Sequence, residues 1–580
     1  MEKVSEINKS GCKELLVWRM FIAIALSIFF QFFLMSVVIL MSNLNPISPF
    51  LWVQNTWNVV FSFRMWCYFL LLATVTFLQG FMCSKDYLNP PRYLSNRFFI
   101  FCSMLGPRNV LLCCVYVAVG GILTWLHLSL KGGSYSSLTK VCTTAKGSCL
   151  VEEYYFLLLG GFWTGFYFFT KSNLTAVRFL QFPTIPQTKF SQVKRAIHEL
   201  LPQAMTNALW PVLYFTNFYW LLGAYSRTAL TSLIPLSLED QPLDKISRLL
   251  NPTLLFDLWL YSSLFVVMAN TMHLMFQACL TEWIPFEVER TSLFNNDKLS
   301  VTLAEVLTMD EIPIIRQLGY LDLVTLAQKD KSRRSALFTL SQPGGHPYNW
   351  NRIMENCLSA IKEFTSELNS VCSTKDEIKS EIETTALNPS AHLFQKPYQY
   401  HMRNLVSPKS LAPAEVLYPT ESIPSEQFLI RYLKNLKQTV ISYLFSKPLI
   451  CFIFGEQLDS KARHVLFKGQ PIVWAADAIS SLAVASLTED AYGIAQKDLP
   501  AIIEALLSVK QALDKLQKMN ILMRKPLSND KVLRQCLTSL RSATRRSLYR
   551  IVTTFKDFID DLGLAAGTVD QLQPFFVYRE

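Results

Sequence analysis

Residues 17–41 read VWRMFIAIALSIFFQFFLMSVVILM, and Arg19 is the only charged side chain among them. An α-helix rises about 1.5 Å per residue, so roughly 20 apolar residues cross about 30 Å of hydrocarbon. The run is long enough to do so. It is too long for a signal-peptide core, so it is expected to remain as a first membrane span. Outward from it, five further stretches meet the same requirement: 61–83, 109–128, 154–170, 204–225 and 254–279. The fourth is short and the fifth contains Pro211. Trp18, Trp52, Trp57, Trp125, Trp220 and Trp283 stand near the edges of the runs, as an interfacial aromatic belt requires.

Composition agrees with a membrane half and a water-exposed half. Hydrophobic residues make up 51% of the 580 and charged residues 17%, where a soluble domain carries about 25% charged. Ten of the twelve tryptophans precede Pro285. The net charge of +11 is also uneven: residues 1–280 hold 20 basic and 11 acidic side chains, and the remainder hold 35 and 33. A basic surplus confined to the membrane half bears on topology and lipid contact, and it disfavours nucleic acid as a direct partner.

The placement of Lys and Arg orients the chain. Lys3, Lys9 and Lys13 in the tail, Lys85, Arg92, Arg97 and Arg108 in the second loop, and Lys171, Arg178, Lys189, Lys194 and Arg195 in the fourth outnumber the six in the third and fifth loops. Both termini are therefore expected in the cytosol. The third loop then faces the lumen, where Cys142 and Cys149 either close a small disulfide ring or stay as two free thiols. Asn173-Leu174-Thr175 is a glycosylation sequon that this topology leaves cytosolic and unmodified.

The spans carry little that a carrier would need. Ionisable groups in mid-membrane are costly and usually functional, yet Arg19, Arg64, His127 and Asp257 lie near span ends. Gln31, Asn207, Asn217, Asn270 and His273 are read as interhelical hydrogen-bonding groups, with His273 the strongest candidate for a permeation role. Gly120 and Gly121 in the third span, and Gly161 and Gly165 (G-x-x-x-G) in the fourth, are expected to let these two helices pack closely. No H-E-x-x-H, G-x-S-x-G or phosphate-loop pattern occurs, and the thirteen cysteines form no C-x-x-C pair. No catalytic, cofactor or metal residues are assigned.

After residue 280 the pattern becomes amphipathic helix: 299–309, 312–328 and 350–371, then 475–487, 499–518 and 531–562. Ser341-Gln-Pro-Gly-Gly-His-Pro347 breaks the series as a fixed turn. Residues 373–424 hold six prolines and read as a flexible linker, in which Ser407-Pro408 has the form of a proline-directed phosphosite. Residues 428–454 either lie on a membrane surface or pack into the soluble domain. Arg541, Arg545, Arg546 and Arg550 share a face read as solvated, with an acidic partner or lipid as the alternative.

The expected fold is all-α: a cytosolic tail (1–16), a six-helix transmembrane bundle (17–280), and a cytosolic helical domain in two parts (281–372 and 425–580) around the linker. The runner-up function is a channel or carrier of the endoplasmic reticulum or nuclear envelope.

Six spans together with Ser341-Gln-Pro-Gly-Gly-His-Pro347, Trp474-Ala-Ala-Asp477, Ala485-Ser-Leu-Thr-Glu-Asp490 and Gln496-Lys-Asp-Leu-Pro500 resemble the nuclear-division-cycle (Ndc) transmembrane nucleoporins, vertebrate type, over nearly the whole chain. The linker is shorter than that family leads one to expect. The resemblance implies a structural protein of the pore membrane, where the inner and outer nuclear membranes fuse. It would anchor the pore scaffold, support pore assembly, and so serve nucleocytoplasmic transport of protein and mRNA. It also implies as partners the membrane lipid, the nucleoporin ALADIN, inner-ring nucleoporins with amphipathic membrane-binding helices, and other transmembrane nucleoporins. It brings no catalytic residues.

Overall fold

A computed structural model of the chain describes residues 2–42, 47–89, 93–131, 137–141, 148–174, 180, 182, 188–233, 243, 246–288, 301–340, 345–386, 447–455, 458–518 and 530–577. Nearly all of these are helical. The membrane half contains α1 (Glu2–Ser42), α2 (Pro49–Val60), α3 (Phe63–Leu88), α4 (Arg97–Met104) and α5 (Pro107–Lys131). A two-stranded antiparallel hairpin follows, β1 (Thr139–Val141) against β2 (Ser148–Leu150), with Lys140 opposite Cys149. Then come α6 (Glu152–Leu174), α7 (Lys189–Asn207), α8 (Leu209–Leu233), α9 (Ile246–Leu249) and α10 (Pro252–Leu280).

α10 is the axis of the bundle. Asp257 is its one charged residue, and a helix apolar around its whole circumference is stable only when neighbours cover every side. α1, α5, α6, α7 and α8 all pack on it, and most of its length is buried. Its start is fixed by Asn251, whose side chain accepts from the Thr253 amide at 3.2 Å, and by Pro252 in the first turn.

Several polar atoms inside the bundle find partners across helices. Thr76 Oγ1 donates to Gln31 Oε1 at 2.9 Å, joining α3 to α1, and the Thr164 and Ser262 hydroxyls lie 2.9 Å apart between α6 and α10. Such bonds contribute on the order of 0.6–2 kcal/mol each. Asn217 differs: its Nδ2 donates to the Leu213 carbonyl of its own helix, on an exposed face. The expected fifth span is displaced for a backbone reason. Pro211 has no N–H for the Asn207 carbonyl, so one helix ends at Asn207 and the next begins at Leu209.

Among the described residues, five helices are long and apolar enough to cross a membrane by length and composition: Ser10–Ser42, Phe63–Leu88, Pro107–Leu130, Pro252–Leu280 and Gly469–Glu489. Four coincide with expected spans. α6 and α8 have the length, but their glycines, tyrosines and tryptophans leave them less apolar.

The second half comprises α11 (Leu303–Leu307), α12 (Pro313–Lys329), α13 (Lys331–Ser335), α14 (Tyr348–Ala386), α15 (Pro448–Phe454), α16 (Leu458–Phe467), α17 (Gly469–Glu489), α18 (Ile494–Lys518), α19 (Asp530–Thr554) and α20 (Ala566–Val577). α17 is central, ringed by α12, α14, α18 and α19. Its junction to α18 is set by Asp490, which accepts from the Tyr492 and Ala495 amides at 3.0 and 2.9 Å around Gly493 at φ +66°. α14 runs past the point where apolar periodicity stops, to Ala386, through a Lys- and Glu-rich stretch of good helix formers. The rest of the expected linker, with Ser407, and residues 428–446 lie outside the described residues. The sequence series gave no helix after 562; Gly563 at φ +62° ends the preceding turns and α20 follows.

Candidate functional site

The segment leaving the central bundle helix is locked into the second half of the chain. After α10 ends, residues 281–288 run as extended chain across α12. Asp322 on α12 is fully buried. Its Oδ1 accepts from Trp283 Nε1 at 3.1 Å and Arg333 Nη1 at 3.1 Å; its Oδ2 accepts from the Phe286 amide at 3.0 Å and Arg333 Nη2 at 2.6 Å. Arg333 Nη2 also donates to the Phe286 carbonyl at 2.5 Å. One carboxylate and one guanidinium thus hold both polar groups of the Phe286 backbone and the indole of Trp283. A buried charge pair is tolerated when its remaining hydrogen-bonding capacity is filled, as here.

Beside this clamp, Glu282 gathers the N-terminal helix and α7. Its carbonyl accepts from Arg19 Nη1 at 2.8 Å, and its carboxylate pairs with Arg19 at 3.5 Å and Lys189 at 2.7 Å. Arg19, placed near a span end by the sequence, is there because its partner is the exit of the last bundle helix. Leu16 and Cys12, one and two turns before it, are buried in the same continuous core.

The second half is itself cross-braced by charge. Arg334 grips Glu489, Trp350 Nε1 donates to Asp498 Oδ2 at 2.8 Å, and Lys468 pairs with Glu367 at 3.1 Å. The arginine stripe of α19 is largely occupied. Arg546 pairs with Asp477 at 2.9 Å, Arg541 reaches Asp514 at 3.1 Å, and Arg550 donates to Ser481 Oγ at 2.5 Å, while Arg545 is exposed. The helix face read as solvated is therefore mostly a brace between α19 and its neighbours. Asp477 belongs to the Trp474-Ala-Ala-Asp477 string, which sequence reasoning noted without seeing its partner.

At the other end of the bundle lies a buried network that the sequence did not disclose. Glu152 pairs with Arg227, accepts from Tyr219 OH at 3.1 Å, and accepts from the Leu243 amide at 2.8 Å; Glu153 pairs with Arg248 at 3.0 Å. Two adjacent acids opening a helix gave the only signal. Cys149, on β2, is disulfide-bonded; Cys142 lies outside the described residues.

Gly120, Gly121, Gly161 and Gly165 all lie where α5 meets α6, the most extensive helix pairing among the described residues. A Cβ on Gly161 would stand 2.8 Å from the Gly120 carbonyl oxygen, one on Gly165 2.8 Å from the Tyr116 carbonyl carbon, and one on Gly121 would overlap the Phe162 ring. His273 packs on Tyr87 with ring centroids 5.3 Å apart.

A cavity of about 230 Å³ opens between α12, α14 and α16, floored by Phe364, Phe467 and Ile472. Its charged rim is already engaged: Arg316 with Asp310, Lys468 with Glu367. Among the described residues no group of three His, Cys, Asp or Glu side chains is placed to hold a metal ion. The arrangement can join, brace and dock.

A family model described as "Nucleoporin protein Ndc1-Nup" matches residues 14–573. The chain is 26% identical to "Nucleoporin NDC1" of Homo sapiens, over 97% of each chain, and 24% identical to "Nucleoporin NDC1" of Xenopus laevis, over 98% of this chain and 99% of that one. It is 27% identical to "Nucleoporin Ndc1" of Drosophila melanogaster, over 98% of each chain. Vertebrate and insect relatives are alike in identity, so the likeness does not single out a vertebrate type. The alignment with the human protein extends over 655 positions and that with the fly protein over 580, so this chain lacks sequence that the human relative has.

Proposed function

The chain belongs to the Ndc1 nucleoporin family, and from that premise we propose that it ties the nuclear pore scaffold to the pore membrane by a rigid splice between bundle and helical domain. It is a transmembrane nucleoporin of the nuclear pore, not an enzyme. The observation that carries the splice is the clamp of Asp322 and Arg333 around Trp283 and Phe286. It fastens Trp283 and Phe286, a few residues after the last bundle helix, directly to α12.

In this reading the bundle has six spans, α1, α3, α5, α6, α8 and α10, with both termini on the cytosolic, pore-facing side. The basic loops support that orientation. α17 is a core helix of the domain rather than a span, since Asp477 and Glu489 are paired to Arg546 and Arg334 there. The glycines of α5 and α6 set the close packing, and Cys142 is the lumenal partner of Cys149. The domain presents its surface to ALADIN, to inner-ring nucleoporins with amphipathic helices and to other transmembrane nucleoporins, and supports pore assembly and hence protein and mRNA transport. A channel or carrier is not favoured: the mid-span Gln31 is bonded across helices and Asn217 faces outward.

The test is proximity labelling from a tag on the C-terminal domain, with the wild type and Asp322→Leu compared. Enrichment of pore scaffold proteins by the wild type, lost in a variant still retained in membranes, is the expected result. Labelling of general endoplasmic-reticulum proteins alone would overturn the anchor.

A further inference from the structure

α2 is too short to cross a bilayer and too apolar to face water. Its 12 residues extend about 18 Å at 1.5 Å per residue. No charged residue occurs from 43 to 63. The helix starts at Pro49 after Ser48 and ends at Phe61; Ser62 then caps α3 by accepting from the Met65 amide at 3.2 Å.

Three faces of α2 differ. The inner edge is fixed to the bundle: Trp52 Nε1 donates to the Leu40 carbonyl at 2.7 Å, satisfying an acceptor in the last turn of α1, and Thr56 is buried. A second face carries Phe50, Val53, Trp57 and Phe61 at three- and four-residue spacing. All four are exposed, Phe50 by 89% and Trp57 by 62%, and the Trp57 and Phe61 rings lie against each other with centroids 4.3 Å apart. The third face carries the neutral amides Gln54, Asn55 and Asn58 with Leu51 between them, and all four are exposed. Ile47, exposed by 93%, and Phe63, by 84%, extend the apolar surface at both ends.

Chain connectivity says what covers it. α2 joins two helices that are both long and apolar enough to span a membrane, so its ends are held at a bilayer boundary. We infer that α2 is an interfacial helix whose Phe50–Val53–Trp57–Phe61 face is immersed in lipid at the end of the bundle remote from the N-terminus, with Gln54, Asn55 and Asn58 among the headgroups. The inference rests on the membrane reading of α1 and α3. With no cation on any face, insertion is driven by apolar area and not by anionic headgroups.

The experiment uses the full chain in phosphatidylcholine vesicles, with p-benzoylphenylalanine replacing Trp57 in one variant and Asn55 in another. After illumination, tandem mass spectrometry should place phospholipid adducts on acyl-chain carbons at position 57 and on headgroup or glycerol carbons at position 55. Protein adducts at position 57, no adduct there, or a requirement for phosphatidylserine would overturn the proposal. Carbonate washing of the same vesicles separates the two readings: chain released by carbonate defeats the membrane span, while chain retained without lipid adducts defeats only α2.

Discussion

Arg334 holds Glu489 with two parallel bonds, Nε to Oε2 at 2.8 Å and Nη2 to Oε1 at 2.7 Å, and so fastens the turn after α12 to the end of α17. Arg334 also donates to the Ala327 carbonyl at 2.9 Å. Planar two-point recognition of this kind is specific to guanidinium. Arg334→Ala should cost about 1–3 kcal/mol, between the values of exposed and buried pairs. Arg334→Lys should recover only part of it. Thermal unfolding of the detergent-solubilised chain is the measurement.

The same pair makes the domain sensitive to acid. The hydrogen bonds from Arg334 hold the Glu489 carboxyl below the ordinary glutamate range, and its partner's guanidinium is correspondingly raised. A carboxyl lowered in the folded state adds stability above its unfolded value and loses it as pH falls through the folded one. Stability should therefore decline below the ordinary glutamate value of about 4.3. Glu489→Gln should flatten that decline while lowering stability at neutral pH.

The clamp on Trp283 and Phe286 can be cut at one residue. Asp322→Ala takes a fully buried carboxylate away from the partly exposed Arg333 guanidinium, for a cost of about 3 kcal/mol, at the lower end of the range for a buried pair. The Trp283 indole and the Phe286 amide also lose their acceptor. Limited proteolysis should then nick residues 281–288, which the wild type protects. Cys357 provides an internal check, since burial pushes its thiol up to about 12 and keeps it unreactive in the folded domain. If its alkylation rate rises together with nicking, the domain has unfolded; nicking alone means that only the splice has opened.

Where α5 meets α6, Gly161→Ala should destabilise by about 1–3 kcal/mol as an overpacking substitution. Its Cβ would meet Thr124 and the Gly120 carbonyl. Gly567→Ala is the control: nothing lies within 4 Å of its Cβ, so a neutral or stabilising change is expected. Retention of native size on gel filtration separates the two outcomes.

Cys149 should resist a maleimide mass tag until reduction, because it is disulfide-bonded. Cys142→Ser should free it if the ring is closed between these two. A Cys149 that stays protected in that variant would place its partner elsewhere.

The membrane half was legible because burial in lipid needs only length and apolarity, properties visible in residues 17–41. The elements that join the two halves were not. Asp322 falls in an ordinary amphipathic stretch, and only the fold brings it to Trp283, 39 positions away. The α19 arginines looked solvated because their acceptors, Asp477 and Asp514, lie on other helices. Glu152 and Arg227 were invisible for the same reason, being 75 residues apart. Periodicity reports which face of a helix is apolar; it does not report which polar group meets which.

Arg19 and Glu282 stand 263 residues apart in sequence. At roughly 5–20 residues per second of synthesis, the first helix waits on the order of tens of seconds before the ribosome delivers the acid that pairs with it. During that delay Arg19 must reach the headgroups on its own, with water and phosphate in place of its eventual partner. The first helix is thus among the earliest parts to enter the bilayer and among the last to be seated.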